Sequence, residues 1–329
     1  MRIGLALPQY DYSIAGESPL PWGRVVEYAR TAEAAGYDSL WVSDHLFLDL
    51  AKYGSASTRQ GAFDPIVTLA ALAGVVSTPR LGTLVLCEAL RPATVLAKSL
   101  ATLDQICGGR LDVGIGAGWY EPEYRAIGMA LPSPGERIAR LREAVTVLNG
   151  LLGGGPCTFD GVAHRARDAR NDPPAQQRPS PPVTVGGKGD RLLALVAEEA
   201  DGWNTSWIWT PDAYGERLEA LTRACDAVGR DPASVSRSIG LYALCGENER
   251  DLAQRYARLQ TLSPPGVLDD VSLAEWRAGR LVGTVEQIGT QAAVWADLGI
   301  DTLIVGVGAV PFAVSTPDDV ELLAHALRR

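Results

Sequence analysis

The chain of 329 residues has little of what builds a metal site or a disulfide framework. Its three histidines, His45, His164 and His325, are far apart in sequence, so a histidine-based metal site is not expected. Its five cysteines show no C-x-x-C spacing. An odd, unpatterned set of this kind predicts reduced thiols and no disulfide bonds.

The sequence also lacks long apolar runs and clusters of basic residues. No apolar stretch is long enough to span a bilayer, and no basic region followed by an apolar one opens the chain. The formal net charge of -9, from 30 basic and 39 acidic residues, disfavours binding to nucleic acid and to anionic membranes. We expect a cytoplasmic globular protein that acts on a small-molecule substrate.

A third absence concerns the fold. An open doubly wound sheet carries a glycine fingerprint after its first strand, whereas this chain has Leu7-Pro8-Gln9-Tyr10 there. Short apolar runs alternate with helical patterns along the whole length, which favours an α/β fold, a (β/α)8 TIM barrel, with one domain over residues 1–329. The eight predicted strands lie at 2–7, 38–42, 81–86, 111–115, 183–185, 200–204, within 235–245 and at 302–305.

Helix signals are clear at several boundaries. Asp64 precedes Pro65, a capping carboxylate before a proline at the first helical position, which predicts a helix running to Ser77. Thr284 with Gln287 predicts a reciprocal capping box. The stretch 156–182, by contrast, is rich in proline, arginine and aspartate and has little apolar periodicity, so we expect an irregular insertion between strands four and five.

The segment from Leu81 to Tyr124 holds predicted strands three and four with a helix between them. Gly116 and Gly118 follow strand four at alternate positions, where the absence of a side chain lets the backbone approach a flat ligand closely. Trp119 comes next and can supply an apolar wall. We therefore expect these three residues to contact a flat ligand.

Residues that directly follow the strands of a barrel converge on one face, where active sites lie. Asp44 and His45 follow strand two. Imidazole titrates near neutral pH, so His45 is the candidate to exchange a proton with substrate. The alternative is a histidine bonded in the rim for structural reasons. We expect Asp44 to hold the backbone or a polar edge of the cofactor.

Other side chains at the same rim are candidate contacts. Cys87 follows strand three and is expected to contact the cofactor as a small apolar residue, not as a reactive thiol. Trp203, Trp207 and Trp209 are predicted to lie in one loop, where they either meet a flat substrate or close the core. The candidate substrate contacts are Gln9, Tyr10, Glu88, Trp207 and Trp209.

The run Gly186-Gly187-Lys188-Gly189 lies between strand five and a helix. Unencumbered backbone N–H groups at a helix N-terminus favour an anion, and Lys188 can add a positive charge. The alternative is a glycine-rich turn that is needed only for its geometry. We expect these four residues to hold an anionic group.

The run LATLDQICGGRLDVGIGAGW, with Ser43-Asp44-His45 and Val185–Gly189, resembles the bacterial luciferase-like family of flavin- and F420-dependent oxidoreductases. The likeness extends from Met1 to about Val305. It implies that the 186–189 loop holds the cofactor phosphate. It also implies a non-prolyl cis peptide at Leu84-Val85, behind the cofactor ring, and often a homodimer.

The resemblance leaves several functions open. The first is hydride transfer between coenzyme F420 and a small organic substrate at the barrel mouth. The second is an FMN-dependent monooxygenase supplied by a separate reductase, and the third is a barrel that binds flavin without catalysis. A cofactor-free lyase is disfavoured, because no lysine or carboxylate pair marks the rim. Some sugar-phosphate dehydrogenases of the family carry a carboxylate where Trp119 stands, which disfavours a sugar phosphate.

Overall fold

Eight parallel strands close into a ring in the computed structural model of the protein, which describes residues 1–328. Each strand pairs with its neighbour along the chain, and the first strand pairs with the last, with Gly4 opposite Ile304. The strands of the ring are β1 (Arg2–Ala6), β2 (Ser39–Val42), β3 (Arg80–Thr83), β4 (Leu111–Gly116), β5 (Val183–Gly186), β6 (Gly202–Trp207), β7 (Ser236–Gly246) and β8 (Thr302–Gly306). The predicted (β/α)8 barrel is confirmed.

Helices cover the outside of this ring and bury their apolar faces against it. In this arrangement the C-terminal ends of all eight strands lie at one face of the barrel. The helices are α1 (Trp22–Ala35), α2 (Pro65–Ala73), α3 (Ala93–Ile106), α4 (Glu121–Ala126), α5 (Pro134–Leu152), α6 (Asp190–Glu199), α7 (Pro211–Ala227), α8 (Glu249–Leu262), α9 (Leu273–Trp276), α10 (Val285–Asp297) and α11 (Pro317–Leu327). None of the helices within residues 1–328 has the length and apolar character needed to cross a bilayer.

The predicted helix starts are confirmed. The Asp64 side chain accepts hydrogen bonds from the first-turn amides of α2, and Thr284 and Gln287 form the capping box of α10. The expected end of α2 at Ser77 is wrong, because the helix stops at Ala73. Ser77 instead donates its backbone N–H to the Glu33 side chain, which satisfies that amide outside a helix.

The expectation of an irregular insertion is wrong for part of the stretch 156–182. The segments Cys157–Asp160 and Arg165–Ala169 form an antiparallel hairpin. Its residues are mostly exposed or half-buried, so the sequence carries no apolar alternation of the kind that reveals a buried strand. The carboxylate of Glu143 on α5 accepts hydrogen bonds from the backbone N–H groups of Val162, Ala163 and His164 and holds the hairpin turn.

Three short elements lie at the mouth of the barrel. Apart from Leu86, which predicted strand three included, their residues were not predicted as strands, since strands of two to four residues are too short to show a period. Leu86–Cys87 continues the line of β3 and pairs with β4. Phe47–Asp49 and Arg59–Gly61 form a hairpin. Leu281–Thr284 adds a strand to the C-terminal end of β7. These elements raise the wall around the face where the strands end.

Candidate functional site

A cavity of about 330 Å³ lies at the C-terminal ends of the strands. It is lined by residues from six of the eight strand ends and from the loops above them. The structure thus brings together most of the residues that the sequence singled out. The candidate residues that line it are Tyr10, Asp44, His45, Leu84, Val85, Cys87, Gly116, Gly118, Trp119, Gly186, Gly187, Lys188 and Trp207.

Other candidates lie outside this cavity. Gln9 is buried, and its amide group donates to the carbonyls of Ser43 and Phe63, at 2.6 and 2.7 Å, while it accepts from the Ser43 N–H. The side chain of Gln9 therefore joins the end of β1 to the end of β2, because both polar atoms of its amide group are hydrogen-bonded to neighbouring backbone. Gly189 lies one step beyond the lining as the N-cap residue of α6.

The predicted tryptophan cluster is divided. Trp203 and Trp207 both belong to β6, but their side chains lie in different surroundings, because Trp203 packs in the main hydrophobic core and Trp207 lines the cavity. Trp203 is fully buried and stacks on Tyr214. Trp209 meets the same Tyr214 edge to face and lines a separate groove, outside the cavity that holds most of the candidates.

The floor of the cavity is flat because two glycines stand beside one valine. A Cβ atom added at Gly116 or at Gly186 would lie 2.9 Å from the side chain of Val85, closer than real side chains pack. The peptide bond between Leu84 and Val85 is cis, as the family resemblance implied, and a second non-prolyl cis bond joins Ser206 to Trp207. Backbone and small apolar groups thus form one face of the cavity.

His45 is held by a buried carboxylate. Its Nδ1 atom lies 2.8 Å from Oε2 of Glu123, and Oε1 of the same carboxylate accepts the backbone N–H of Leu46. Glu123 is 4% exposed. Sequence reasoning missed it, although the acidic segment after Trp119 carries it at the start of α4. The pair fixes the ring of His45 at the cavity wall.

Asp44 is bound from two sides. Its Oδ2 atom accepts a hydrogen bond from the backbone N–H of Cys87 at 2.9 Å and from Nη1 of Arg91 at 2.7 Å. Burial raises the pKa of the Asp44 carboxyl, and the Arg91 guanidinium opposes that shift. Asp44 therefore joins the end of β2 to the end of β3 by binding backbone, which is one of the two roles predicted for it. Its partner Arg91 was not predicted.

Cys87 lies between this ion pair and the cavity. Burial raises the pKa of its thiol to about 11, so the group stays protonated near neutral pH. This agrees with its expected character as a small apolar side chain.

At the mouth of the cavity, the ammonium group of a lysine lies over an indole ring. The Nζ atom of Lys52 lies 3.7 Å from the ring centroid of Trp119, a cation–π distance. Lys52 comes from the turn between the strands of the 47–61 hairpin, and burial lowers its pKa. Trp119 is thus a wall residue that also holds the hairpin over the site.

The glycine-rich corner opens onto the same cavity. Gly186, Gly187 and Lys188 line it, and helix α6 begins at Asp190 without a side-chain cap. The carbonyl of Gly187 accepts the indole N–H of Trp203 at 2.6 Å. The loop is therefore positioned by the core, and no side chain caps the start of α6, a kind of position that favours an anion.

Glu88 does not face the cavity. Its side chain is fully buried and meets Nε2 of His164 at 2.8 Å and Nη2 of Arg140 at 3.1 Å. The prediction that Glu88 contacts substrate is wrong, because its oxygens are used to fasten the 157–169 hairpin to the barrel. His164, from that hairpin, is the partner that no local sequence pattern identifies.

The chain is similar in sequence to known proteins over most of its length. The family model for luciferase-like monooxygenases matches residues 1–302. The chain is 30% identical over 303 residues to an F420-dependent hydroxymycolic acid dehydrogenase of Mycobacterium tuberculosis, covering 90% of this chain and 80% of that protein. It is 34% identical over 235 residues to an F420-dependent glucose-6-phosphate dehydrogenase of Kineococcus radiotolerans, covering 69% and 65%.

A solved structure shares the fold. The monooxygenase RslO1 from Streptomyces bottropensis superposes with a TM-score of 0.75 at 24% identity, over 100% of this chain and 99% of that one. The family match across the barrel and the relative matched over most of its length establish the family. The chain belongs to the luciferase-like monooxygenase family.

Proposed function

We propose that this protein is an oxidoreductase that passes hydride between coenzyme F420 and a small organic substrate in the mouth cavity. The observation that carries the proposal is one cavity that combines a flat floor at Val85, an anion corner at Gly186–Lys188 and a histidine fixed by a carboxylate. The F420-dependent relatives of similar sequence support the choice of cofactor.

The residues present fit a ring-shaped cofactor with an anionic tail. Gly116 and Gly186 let the side chain of Val85 pack directly against the backbone, where a Cβ would lie 2.9 Å from it, so a ring can lie against this face of backbone and Val85. The uncapped start of α6 and the ammonium group of Lys188 suit a phosphate. When bound, F420 supplies a deazaflavin ring that accepts or donates hydride.

The protein supplies the proton and the orientation. Glu123 engages Nδ1 of His45, so Nε2 is the ring nitrogen available for proton exchange. In the oxidation of an alcohol, Nε2 would take the hydroxyl proton as the hydride leaves carbon. In the reverse direction, it would return that proton. Trp119 lies beside His45, with ring centroids 5.8 Å apart, and Lys52 lies over the Trp119 ring at the edge of this site.

Titration of the purified protein with F420 and, separately, with FMN tests the proposal. Ring fluorescence reports binding of each cofactor, and the expected result is a saturable response to F420. Binding of FMN with no response to F420 would favour the monooxygenase supplied by a separate reductase. Binding of F420 without turnover of any alcohol, aldehyde or enone in a panel would favour a non-catalytic flavin-binding barrel.

The family resemblance also predicts that the protein forms a homodimer and that a separate reductase recycles its cofactor. Gel filtration with light scattering checks the first.

A further inference from the structure

A second cavity of about 470 Å³ adjoins the first. The two cavities share Lys52, Tyr53, Lys188, Ser206 and Trp207 in their walls. Trp207 therefore stands as a partition, with the flat floor of the candidate cofactor site on one side. A molecule in the second cavity would reach the first past the edge of this indole ring.

The second cavity has aromatic walls. Tyr242 stacks on Trp207, with ring centroids 5.4 Å apart and an angle of 25° between the planes. Trp276, from α9, lines the same space and is 2% exposed. Its indole Nε1 is buried and has no hydrogen-bond partner within residues 1–328. Flat rings in such a space suit a flat or conjugated molecule, and an indole N–H suits a polar acceptor on it.

One cation in this wall has no counter-ion. Nη1 of Arg280 donates to the carbonyls of Trp276 and Ala278, both at 2.9 Å. Its Nε atom is buried without a partner, and within the described residues no carboxylate lies within ion-pair distance of its guanidinium. The group lies over the rings of Tyr242 and Trp276, 5.7 and 5.3 Å from their centroids.

The neighbouring charges do not neutralise Arg280. Glu275 is the carboxylate in the cavity wall, and its Oε2 atom is bound by the N–H and hydroxyl of Ser272 in the capping box of α9. Arg277, three residues before Arg280, pairs with Glu249 at 2.9 Å. Lys52 and Lys188 add further positive charge where the two cavities meet. A half-buried, unpaired guanidinium is costly to keep and favours an anionic ligand.

We propose that the second cavity is a substrate subsite for a flat aromatic or conjugated compound that bears a carboxylate. The ring system lies among Trp207, Tyr242 and Trp276, and the carboxylate pairs with Arg280. The compound's reacting group then extends past Trp207 toward His45, a placement that rests on the proposed function. The anion subsite itself stands on the geometry of this cavity.

Binding of two matched probes tests the subsite. The probes are 2-naphthoate and its neutral analogue 2-naphthamide, titrated by calorimetry into the F420-loaded protein and into the cofactor-free protein. We expect 2-naphthoate to bind about tenfold more tightly or better, the range of a charge-assisted contact. In Arg280→Met this preference should disappear, whereas in the control Arg277→Met it should remain.

The variants are chosen so that folding does not obscure the result. The unfolding temperature of each variant is measured first, and Arg280→Lys, which keeps the charge, should retain part of the preference. If Arg280→Met fails to fold, the comparison of the two probes on the unaltered protein and on Arg280→Lys still decides. Equal affinity for the two probes on the unaltered protein would overturn the proposal.

The same positive charge could instead serve the anionic tail of the cofactor. A loss of F420 affinity in Arg280→Met, with the naphthoate preference intact, would assign the charge to the cofactor and overturn the subsite. Preferential naphthoate binding by a protein that binds no F420 would support the subsite and contradict the proposed function. The two proposals therefore fail in different ways.

Discussion

The Nδ1 atom of His45 lies 2.8 Å from Oε2 of Glu123, although the two residues are 78 positions apart in sequence. A carboxylate on one ring nitrogen fixes the orientation of the imidazole and leaves the other nitrogen to exchange a proton. His45 lies three residues beyond the end of β2, and Glu123 lies in the first turn of α4, the helix after β4, so the barrel itself brings the two together.

Substitution of either member of this pair should slow turnover while sparing the cofactor. We expect His45→Ala to lower kcat by about 10²-fold or more, the usual contribution of a positioned acid or base, and Glu123→Gln by about tenfold or more. The affinity for F420, measured by ring fluorescence, should change little, because neither side chain belongs to the anion corner. Turnover is followed by the absorbance of oxidised F420.

A matched control is available on the same helix. Glu121 is exposed and pairs with Arg125 at the surface, so Glu121→Gln should leave kcat unchanged. An unaltered kcat in Glu123→Gln would show that the carboxylate only fastens the Leu46 backbone.

The flat floor of the cavity depends on the absence of a side chain at Gly116. A Cβ there would lie 2.9 Å from Cγ2 of Val85, and valine has few rotamers with which to move away. Gly116→Ala should therefore push Val85 toward the cofactor and weaken F420 binding by about tenfold or more. Fluorescence titration measures the change.

The comparison for this substitution is Gly215→Ala. Gly215 lies in α7, and a Cβ there would meet no described atom within 4 Å. The affinity of Gly215→Ala for F420 should equal that of the unaltered protein. Tight binding by Gly116→Ala would mean that the ring does not lie against Val85.

The barrel could be predicted because its signals are local. Short apolar strands such as Leu111–Gly116 alternate with capped helices, and each signal is contained in a few neighbouring residues. The positions of Asp44, His45 and Gly186 at the mouth follow from that topology alone, since each comes directly after a strand or at its end. The family resemblance added the cis bond at Leu84-Val85, which no local pattern specifies.

Partnerships between distant side chains could not be predicted. From its position after a strand, Glu88 is predicted to lie at the rim, but its carboxylate is buried and pairs with Arg140 and His164. Gln9 also follows a strand, and the Ser43 and Phe63 backbones use all of its hydrogen-bonding capacity. Whether a polar side chain faces a ligand or a neighbouring loop depends on distances that only the folded chain sets.

The ion pair between Arg91 and Asp44 predicts a pH-dependent stability. The Asp44 side chain is 2% exposed, and removal of the partner of a buried charge typically costs about 3 kcal/mol or more of unfolding free energy. Arg91→Met should show this deficit at about pH 8, far above the pKa of an ordinary aspartate, where the unfolded chain carries the ionised carboxylate.

The deficit should shrink as the pH falls. Burial already raises the pKa of Asp44 in the folded protein, and loss of Arg91 raises it further. The folded variant then takes up a proton at a pH where the unfolded chain does not, so acid stabilises the variant relative to the unaltered protein. Urea unfolding at a series of pH values measures the difference. A constant deficit would contradict the argument, and the exposed pair removed in Arg125→Met should cost about 0.5 kcal/mol or less.

Thiol labelling separates the cysteines and tests the character of the cavity wall. Cys87 is buried, and its pKa of about 11 leaves little thiolate near neutral pH, whereas Cys157 is half-buried at the edge of the surface hairpin. Iodoacetamide should therefore modify Cys157 first, as located by mass spectrometry.

In Cys157→Ser, labelling of Cys87 should be slow near neutral pH. Its rate should rise about tenfold for each unit by which the pH is raised, as long as the pH stays below the pKa of the thiol. Because Cys87 lines the cavity, bound F420 should slow its labelling further. Rapid modification of Cys87 near neutral pH would instead identify a reactive thiolate in the site and reverse the assignment of Cys87 as an apolar contact.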